Sequence, residues 1–275
     1  MTGLLRSLLE SLYLRLFVRR VFFRANRFLH DLTLHGLGVL NHDDGRSGET
    51  VLLDHLARIV AAPVVVDVGA NAGDYAAAVL ARAPRARVLA FEPHPATFAR
   101  LLGRAAAAGF TAHNLALGAE PGHLELYDYD GSDGTQHASL YREVISTIHH
   151  GGEPLAMQVE VATLDDRLRR EGVTHVDLLK IDTEGHELSV LQGARELLAA
   201  GAIAAVVFEF NEMNVISRVF LRDFYDLLPG YCFYRLLPDG LAPLGPYVAR
   251  QCEIFAYQNI VAVRDGGPLA QLLSA

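Results

Sequence analysis

The run Pro63-Val64-Val65-Val66-Asp67-Val68 leads directly into Gly69-Ala70-Asn71-Ala72-Gly73, and no other stretch constrains the fold of this chain as tightly. A strand made almost wholly of β-branched residues is buried on both faces, which happens inside a parallel sheet. A glycine-rich turn that leaves such a strand and opens a helix is where doubly wound sheets hold their ligands. Gly73–Arg82 then reads as a helix and Arg87–Glu92 as a second strand. Pro95–Ala108 is a helix closed by Gly109, and a third strand falls within Thr111–Leu117.

Leu124–Tyr127 and Met157–Val161 read as strands flanking a long polar loop, after which Thr163 caps a short helix with Asp166 three positions on. Val176–Ile181 is a buried strand, Glu184–Ala200 a helix ended by Gly201, and Ile203–Phe210 another strand. Tyr231–Leu237 and Ile254–Val263 follow with no obvious helix between them, so they pair antiparallel. The expected architecture is a Rossmann-like α/β domain. Its sheet is mostly parallel with an antiparallel C-terminal edge, and helices cover both faces. Residues 1–45 form a helical extension, 46–265 the domain and 266–275 a tail.

At 275 residues, 51% hydrophobic and 20% charged, the chain is long and apolar enough for one such core. Its net charge of −8 argues against a nucleic-acid partner, which needs a surplus of Lys and Arg. Cys232 and Cys252 cannot make a disulfide framework or a zinc site, and read as two buried thiols in a reducing, cytoplasmic compartment. The N-terminus departs from the acidic average. Between Leu4 and Leu29 stand Arg6, Arg15, Arg19, Arg20, Arg24 and Arg27 against Glu10, with leucines at helical spacing. This segment is too short and too interrupted to span a bilayer. Such a helix packs on its own domain, on a second copy in a homo-oligomer, or, through residues 1–30, peripherally on an anionic membrane.

The glycine turn departs from the dinucleotide fingerprint. Counted from Gly69, the second glycine is Asn71 and the third is Asp74. Asp67 and Asp74 would repel a pyrophosphate but attract the sulfonium and ammonium of S-adenosylmethionine. Glu92 ends the second strand nineteen residues beyond Gly73, where an acid accepts hydrogen bonds from ribose hydroxyls, and Pro93 fixes it at the sheet's carboxyl edge.

Lys180, Asp182, Glu184 and His186 alternate at the end of the fourth strand of the domain, and Lys180 and Asp182 share a face if the strand runs through both. Capping of the following helix by Asp182 or Thr183 accounts for one residue, not for a lysine that ends an apolar strand. Glu209, between Phe208 and Phe210, is either desolvated with a raised pKa or ion-paired with Lys180.

Taken together, D-V-G-A-N-A-G (67–73), A-F-E-P (90–93), N-L-A-L-G (114–118), T-L-D-D (163–166) and L-L-K-I-D-T-E-G-H-E (178–187) resemble the FkbM-type methyltransferase family, in that family's order and over roughly residues 48–210. Y-Q-N-I-V-A-V (257–263) is similar to some members as well. The resemblance implies the seven-stranded class I methyltransferase sheet and O-methylation from S-adenosylmethionine, on a sugar, glycan or other small hydroxyl compound. Asp67, Gly69, Ala70, Asn71 and Gly73 would then line the methionine end of the cofactor. Glu92 and Pro93 would stand at the ribose, and Asn114 and Ala116 near the adenine.

A sugar hydroxyl is a poor nucleophile, so the reaction calls for a base. Asp182 and His186 are the candidates, with Lys180 and Glu209 as orienting groups. The 128–155 stretch holds Asp128, Asp130, Asp133, His137, His149 and His150, but matches no metal-ligand spacing, so it reads as a substrate-covering loop and no metal is expected. Within it, Ser139-Leu140 resembles a family serine on the substrate side. Two other classes compete: an NAD-dependent oxidoreductase on a similar sheet, which the broken glycine spacing opposes, and a non-catalytic, membrane-associated binding protein.

Overall fold

Alternation along the buried valine run decides which face of the sheet each later side chain meets. The computed structural model describes residues 3–41, 47–129, 139–140, 143, 154–267 and 269–270. In chain order the elements are α1 (Gly3–Leu16), α2 (Phe23–Gly36), α3 (Glu49–Ile59), β1 (Val64–Val68), α4 (Asp74–Arg82), β2 (Arg87–Phe91), α5 (Pro95–Ala108), β3 (Thr111–His113), β4 (Ala116–Leu117), β5 (Gly122–Tyr129) and β6 (Pro154–Ala162). The second half adds α6 (Leu164–Arg170), β7 (Leu178–Ile181), α7 (Glu187–Gln192), α8 (Arg195–Ala199), β8 (Ala205–Phe210), α9 (Met213–Ser217), α10 (Leu221–Leu227), β9 (Tyr231–Leu237), β10 (Gly240–Pro243), α11 (Ala249–Cys252) and β11 (Gln258–Arg264).

The main sheet runs β10-β9-β11-β8-β7-β1-β2-β3. Strands β3, β2, β1, β7 and β8 are parallel, and β11 is antiparallel to both its neighbours. The sheet is the α/β class expected, with its antiparallel C-terminal edge. Seven strands, β3 to β9 across the order, match the expected number. An eighth, β10, is added at the edge because the turn residues at 238–240 fold β9 back into a hairpin.

Val66, Val68, Leu179, Ile181, Phe208 and Phe210 pack on one face with Leu164, Leu168, Leu191 and Phe224. Val65, Leu178, Val207 and Val261 pack on the other with Leu52, Leu56, Val79 and Leu101. By the same two-residue period, Asp67 and Lys180 belong to this second, helix-covered face.

Two expected elements come out divided and one unexpected turn is added. The third strand splits into β3, on the main sheet, and β4, which joins β5 and β6 in a separate three-stranded sheet. The helix expected over 184–200 starts only at Glu187 and breaks at Gly193, where a side chain would overlap the carbonyl of Gly118. Backbone proximity replaces a helical turn there, and only glycine permits it. Finally, one helical turn, α11, lies between β9 and β11. At the N-terminus α1 buries no residue, and the chain joins the domain only after α2, where Val39 is fully buried and Leu40 N–H donates to Tyr257 O at 2.8 Å.

Candidate functional site

The strand order reverses between β1 and β7, and the carboxyl ends of these strands open a crevice there. Its floor is the glycine turn. Gly69 has φ +74°, and a Cβ there would overlap the carbonyl oxygen of Asp182 from β7, so the two strand ends touch backbone to backbone. The N–H groups of Gly69 and Ala70 both donate to Phe91 O, at 3.0 and 2.9 Å, and tie the turn to β2. Asn71 is also left-handed, at φ +46°, a conformation asparagine tolerates.

Glu92 is buried and pinned from both sides. Its Oε2 accepts Asn71 N–H at 3.0 Å and its Oε1 accepts His94 N–H at 2.8 Å. Burial pushes its carboxyl up to about 7, against those two bonds and the nearby Lys180. Asn114 supports the same turn from behind, its Nδ2 donating to the carbonyls of Glu92 and Pro93, both at 2.9 Å.

Lys180 stands between two carboxylates, with Nζ 3.4 Å from Asp67 Oδ1 and 3.2 Å from Asp182 Oδ2. Nζ also lies 3.4 Å from Gly69 O and 5.6 Å from the centre of the Tyr75 ring. Burial alone would lower the lysine's pKa, but the charges of Asp182 and Asp67 outweigh it and hold the ammonium above its usual value. Asp67 is fully buried, and burial raises its carboxyl while Lys180 opposes the rise.

Past β7 the chain turns sharply through Glu184 (φ +54°) and Gly185 (φ +104°). Glu187, itself buried, clamps this turn: its Oε1 accepts Thr183 N–H at 2.9 Å, Thr183 Oγ at 3.0 Å and Gly185 N–H at 3.1 Å. Ser139 Oγ donates to Glu184 O at 2.8 Å, which anchors the described part of the 128–155 stretch to the turn.

Burial raises the carboxyls of Glu184 and Glu209 well above the ordinary range, and the charge of Asp182 adds to both. Glu209 is held by Asn211 Nδ2. Of its two expected roles the desolvated one fits, because Lys180 pairs with Asp67 and Asp182. Burial lowers His186 to about 4, so its imidazole is neutral at neutral pH.

These residues enclose a cavity of about 670 Å³. Of the residues expected at a site, Gly69, Ala70, Asn71, Glu92, Pro93, Ala116, Lys180, Asp182, His186 and Glu209 line it. Three others do not. Asp67 lies beneath the floor, paired with Lys180. Gly73 packs against Leu101 and Phe110 at the start of α4, and Asn114 borders a separate, smaller pocket.

Sequence reasoning missed Glu49, Tyr75 and Tyr257, which line the wall from α3, α4 and the loop before β11. No local signal marks them, since each arrives through long-range packing. Among the described residues no group of three or more His, Cys, Asp or Glu side chains is placed to hold a metal ion. Asp130, Asp133, His137, His149 and His150 lie outside the described residues. Asp128 pairs with His94, Nε2 to Oδ2 at 3.4 Å.

The strand order, the glycine turn at the switch point and the carboxylate ending β2 define a class I methyltransferase fold. Residues 67–228 match the family model described as the methyltransferase FkbM domain, and the chain belongs to that family. It is similar to methyltransferase sdnD of Sordaria araneosa, 30% identical over 173 residues that cover 53% of this chain and 67% of the relative. It is also similar to 2-O-methyltransferase NoeI of Sinorhizobium fredii, 25% identical over 189 residues covering 65% and 76%. Among solved structures, an FkbM methyltransferase from Methylobacillus flagellatus superposes with a TM-score of 0.45 at 16% identity, over 73% of this chain and 43% of that one.

Proposed function

We propose that this chain transfers a methyl group from S-adenosylmethionine to a hydroxyl oxygen of a small-molecule or glycan acceptor. The observation that carries the reading is the charge of the crevice. Glu49, Asp74, Glu92, Asp182, Glu184 and Glu209 line it against the single Lys180, which suits a cationic ligand and opposes a pyrophosphate. The oxygens of Glu92 each hold one backbone N–H and keep lone pairs for two ribose hydroxyls. Leu115, Ala116, Leu117 and Phe91 give an apolar wall for a purine. The oxidoreductase reading has no such support, since Asp74 opens α4 where a dinucleotide's phosphates would sit.

S-adenosylmethionine would supply a methyl carbon already activated by its sulfonium. The chain's own part is alignment, exclusion of water and movement of one proton. Asp182, at the cavity wall beside Lys180, takes the proton of the acceptor hydroxyl. Lys180 fixes that carboxylate from below through its 3.2 Å contact and is itself held by Asp67. His186, buried on the same wall with an imidazole that burial keeps neutral, is the alternative acceptor of that proton. Glu209 and Glu184, whose carboxyls burial and the charge of Asp182 raise above the ordinary range, line the same cavity and orient acceptor oxygens.

Oxygen as the methylated atom is supported by this arrangement of a candidate base among buried carboxyls, and by the relative named as a 2-O-methyltransferase. The test is incubation with methyl-labelled S-adenosylmethionine and a panel of sugars and small alcohols. Label recovered as a methyl ether supports the reading, whereas label found only on nitrogen or carbon overturns it.

A further inference from the structure

Helices α1 and α2 form a preorganised hairpin with an apolar face that no described residue covers. Tyr13 Oη donates to Asn26 Oδ1 at 2.6 Å, Asn26 Nδ2 donates to Phe17 O at 3.1 Å, the rings of Tyr13 and Phe17 stack, and Phe22 meets Phe17 at a tilt. The hairpin therefore has a defined shape. Yet α1 buries no side chain and α2 buries only Leu34.

Leu4, Leu5, Leu8, Leu9, Leu12 and Leu16 occupy one half of α1, with Leu4 83% and Leu8 66% exposed. Packing on its own domain, one of the roles the sequence allows, buries no residue of α1 among the described residues.

Charge selects what covers the face. Residues 3–36 carry six arginines against Glu10 and Asp31, a net of +4; the whole chain carries −8, so the rest holds −12. Among the described residues Arg15, Arg20, Arg24 and Arg27 form no ion pair, and only Arg6 is neutralised within the hairpin, by Glu10 at 3.0 Å.

Leucines flanked by unpaired arginines, with Phe17, Phe22, Phe23 and Phe28 around the bend, form the pattern of a helix lying in a lipid headgroup layer: aliphatic carbon goes to the acyl boundary and guanidinium groups reach anionic phosphates. Among the described residues no helix is long and apolar enough to cross a membrane. We infer that the α1–α2 hairpin docks the chain peripherally on an anionic lipid bilayer, with α1 in the plane of the surface. The rigid attachment at Val39 and Leu40 ties the hairpin to Tyr257 on the cavity wall.

The experiment is sedimentation of the full chain with vesicles of pure phosphatidylcholine, and with vesicles containing about one-third phosphatidylserine. Two variants accompany it: Arg19→Glu/Arg20→Glu/Arg24→Glu, and Leu5→Glu/Leu8→Glu/Leu12→Glu. All six positions are exposed, so the thermal unfolding of the domain stays where it is in the wild type.

The expected result is pelleting with anionic vesicles that drops at least about tenfold with neutral vesicles, and in each variant. High salt, about 1 M, weakens it as well. Failure of the wild type to pellet with anionic vesicles overturns the inference, as does undiminished pelleting of the arginine variant. A wild-type dimer in sedimentation equilibrium that the leucine variant abolishes, with no vesicle binding, would assign the face to a second copy instead.

Discussion

Asp67 and Lys180 stand side by side, in register on the adjacent parallel strands β1 and β7, with both side chains buried and Nζ 3.4 Å from Oδ1. A carboxylate from β1 and an ammonium from β7 are thus one unit. Its free end is Asp182, 3.2 Å farther on at the cavity wall. The pair converts sheet register into the position of the carboxylate proposed as the base.

Breaking that unit from one side leaves a buried charge without its partner. Lys180→Met should therefore destabilise the fold by about 3–5 kcal/mol at neutral pH, measured by urea unfolding. The double variant Asp67→Asn/Lys180→Met should recover most of the loss. In the single variant Asp67 is raised further above its unfolded value, so the deficit grows as pH rises and shrinks in acid. Equal deficits in the single and double variants would contradict the pairing.

Two glycines with similar φ should respond very differently to alanine. At Gly69 (φ +74°) a Cβ overlaps the Asp182 carbonyl, whereas at Gly109 (φ +87°) it meets nothing within 4 Å. Gly109→Ala should cost about 1 kcal/mol, the conformational term alone. Gly69→Ala should cost on the order of 3 kcal/mol or more and abolish ligand binding, because the strand ends must separate. Chemical denaturation of both variants gives the comparison.

How far this was legible in the sequence follows from the range of each interaction. β1, α5 and the Thr163 cap depend on runs and caps within a few residues, and they appear where the sequence indicates. The Gly193 break depends on Gly118, and the split of the third strand on pairing with β6, both distant in sequence. The site divides in the same way. Gly69, Glu92, Lys180 and Asp182 announce themselves locally, at strand ends with unusual chemistry. Asn114 was expected beside the ligand but instead braces the Glu92 turn, since an asparagine that binds a base and one that binds backbone carbonyls look alike as letters. Glu49 and Tyr257 come to the cavity by tertiary packing alone.

A Glu92 that holds the donor's ribose should make donor binding pH-dependent. Its carboxyl is pushed up to about 7 by burial, and ribose hydroxyls donate to the ionised form. Affinity should therefore weaken as pH falls below about 7, and binding near pH 6 should release a proton. Calorimetry in two buffers of different protonation enthalpy detects that proton. The effect should vanish in Glu92→Gln; a flat pH profile in the wild type would remove Glu92 from the contact.

Asp182→Asn keeps the shape of the cavity wall but removes the proposed base. Turnover should fall by about 10²–10⁴, while the dissociation constant for S-adenosylmethionine changes by less than about threefold. Single-turnover kinetics with an acceptor found in the labelling screen separates the two. Unchanged turnover would transfer the proton to another group.

The most direct test of the central claim, a methyl-donor site at the β1–β7 crevice, is calorimetric titration of S-adenosylmethionine into the wild type and Glu92→Ala. The account predicts binding at about micromolar concentration to the wild type and a loss of at least about tenfold in the variant. Equal binding to both proteins would contradict it, and so would tighter binding of NAD than of S-adenosylmethionine by the wild type.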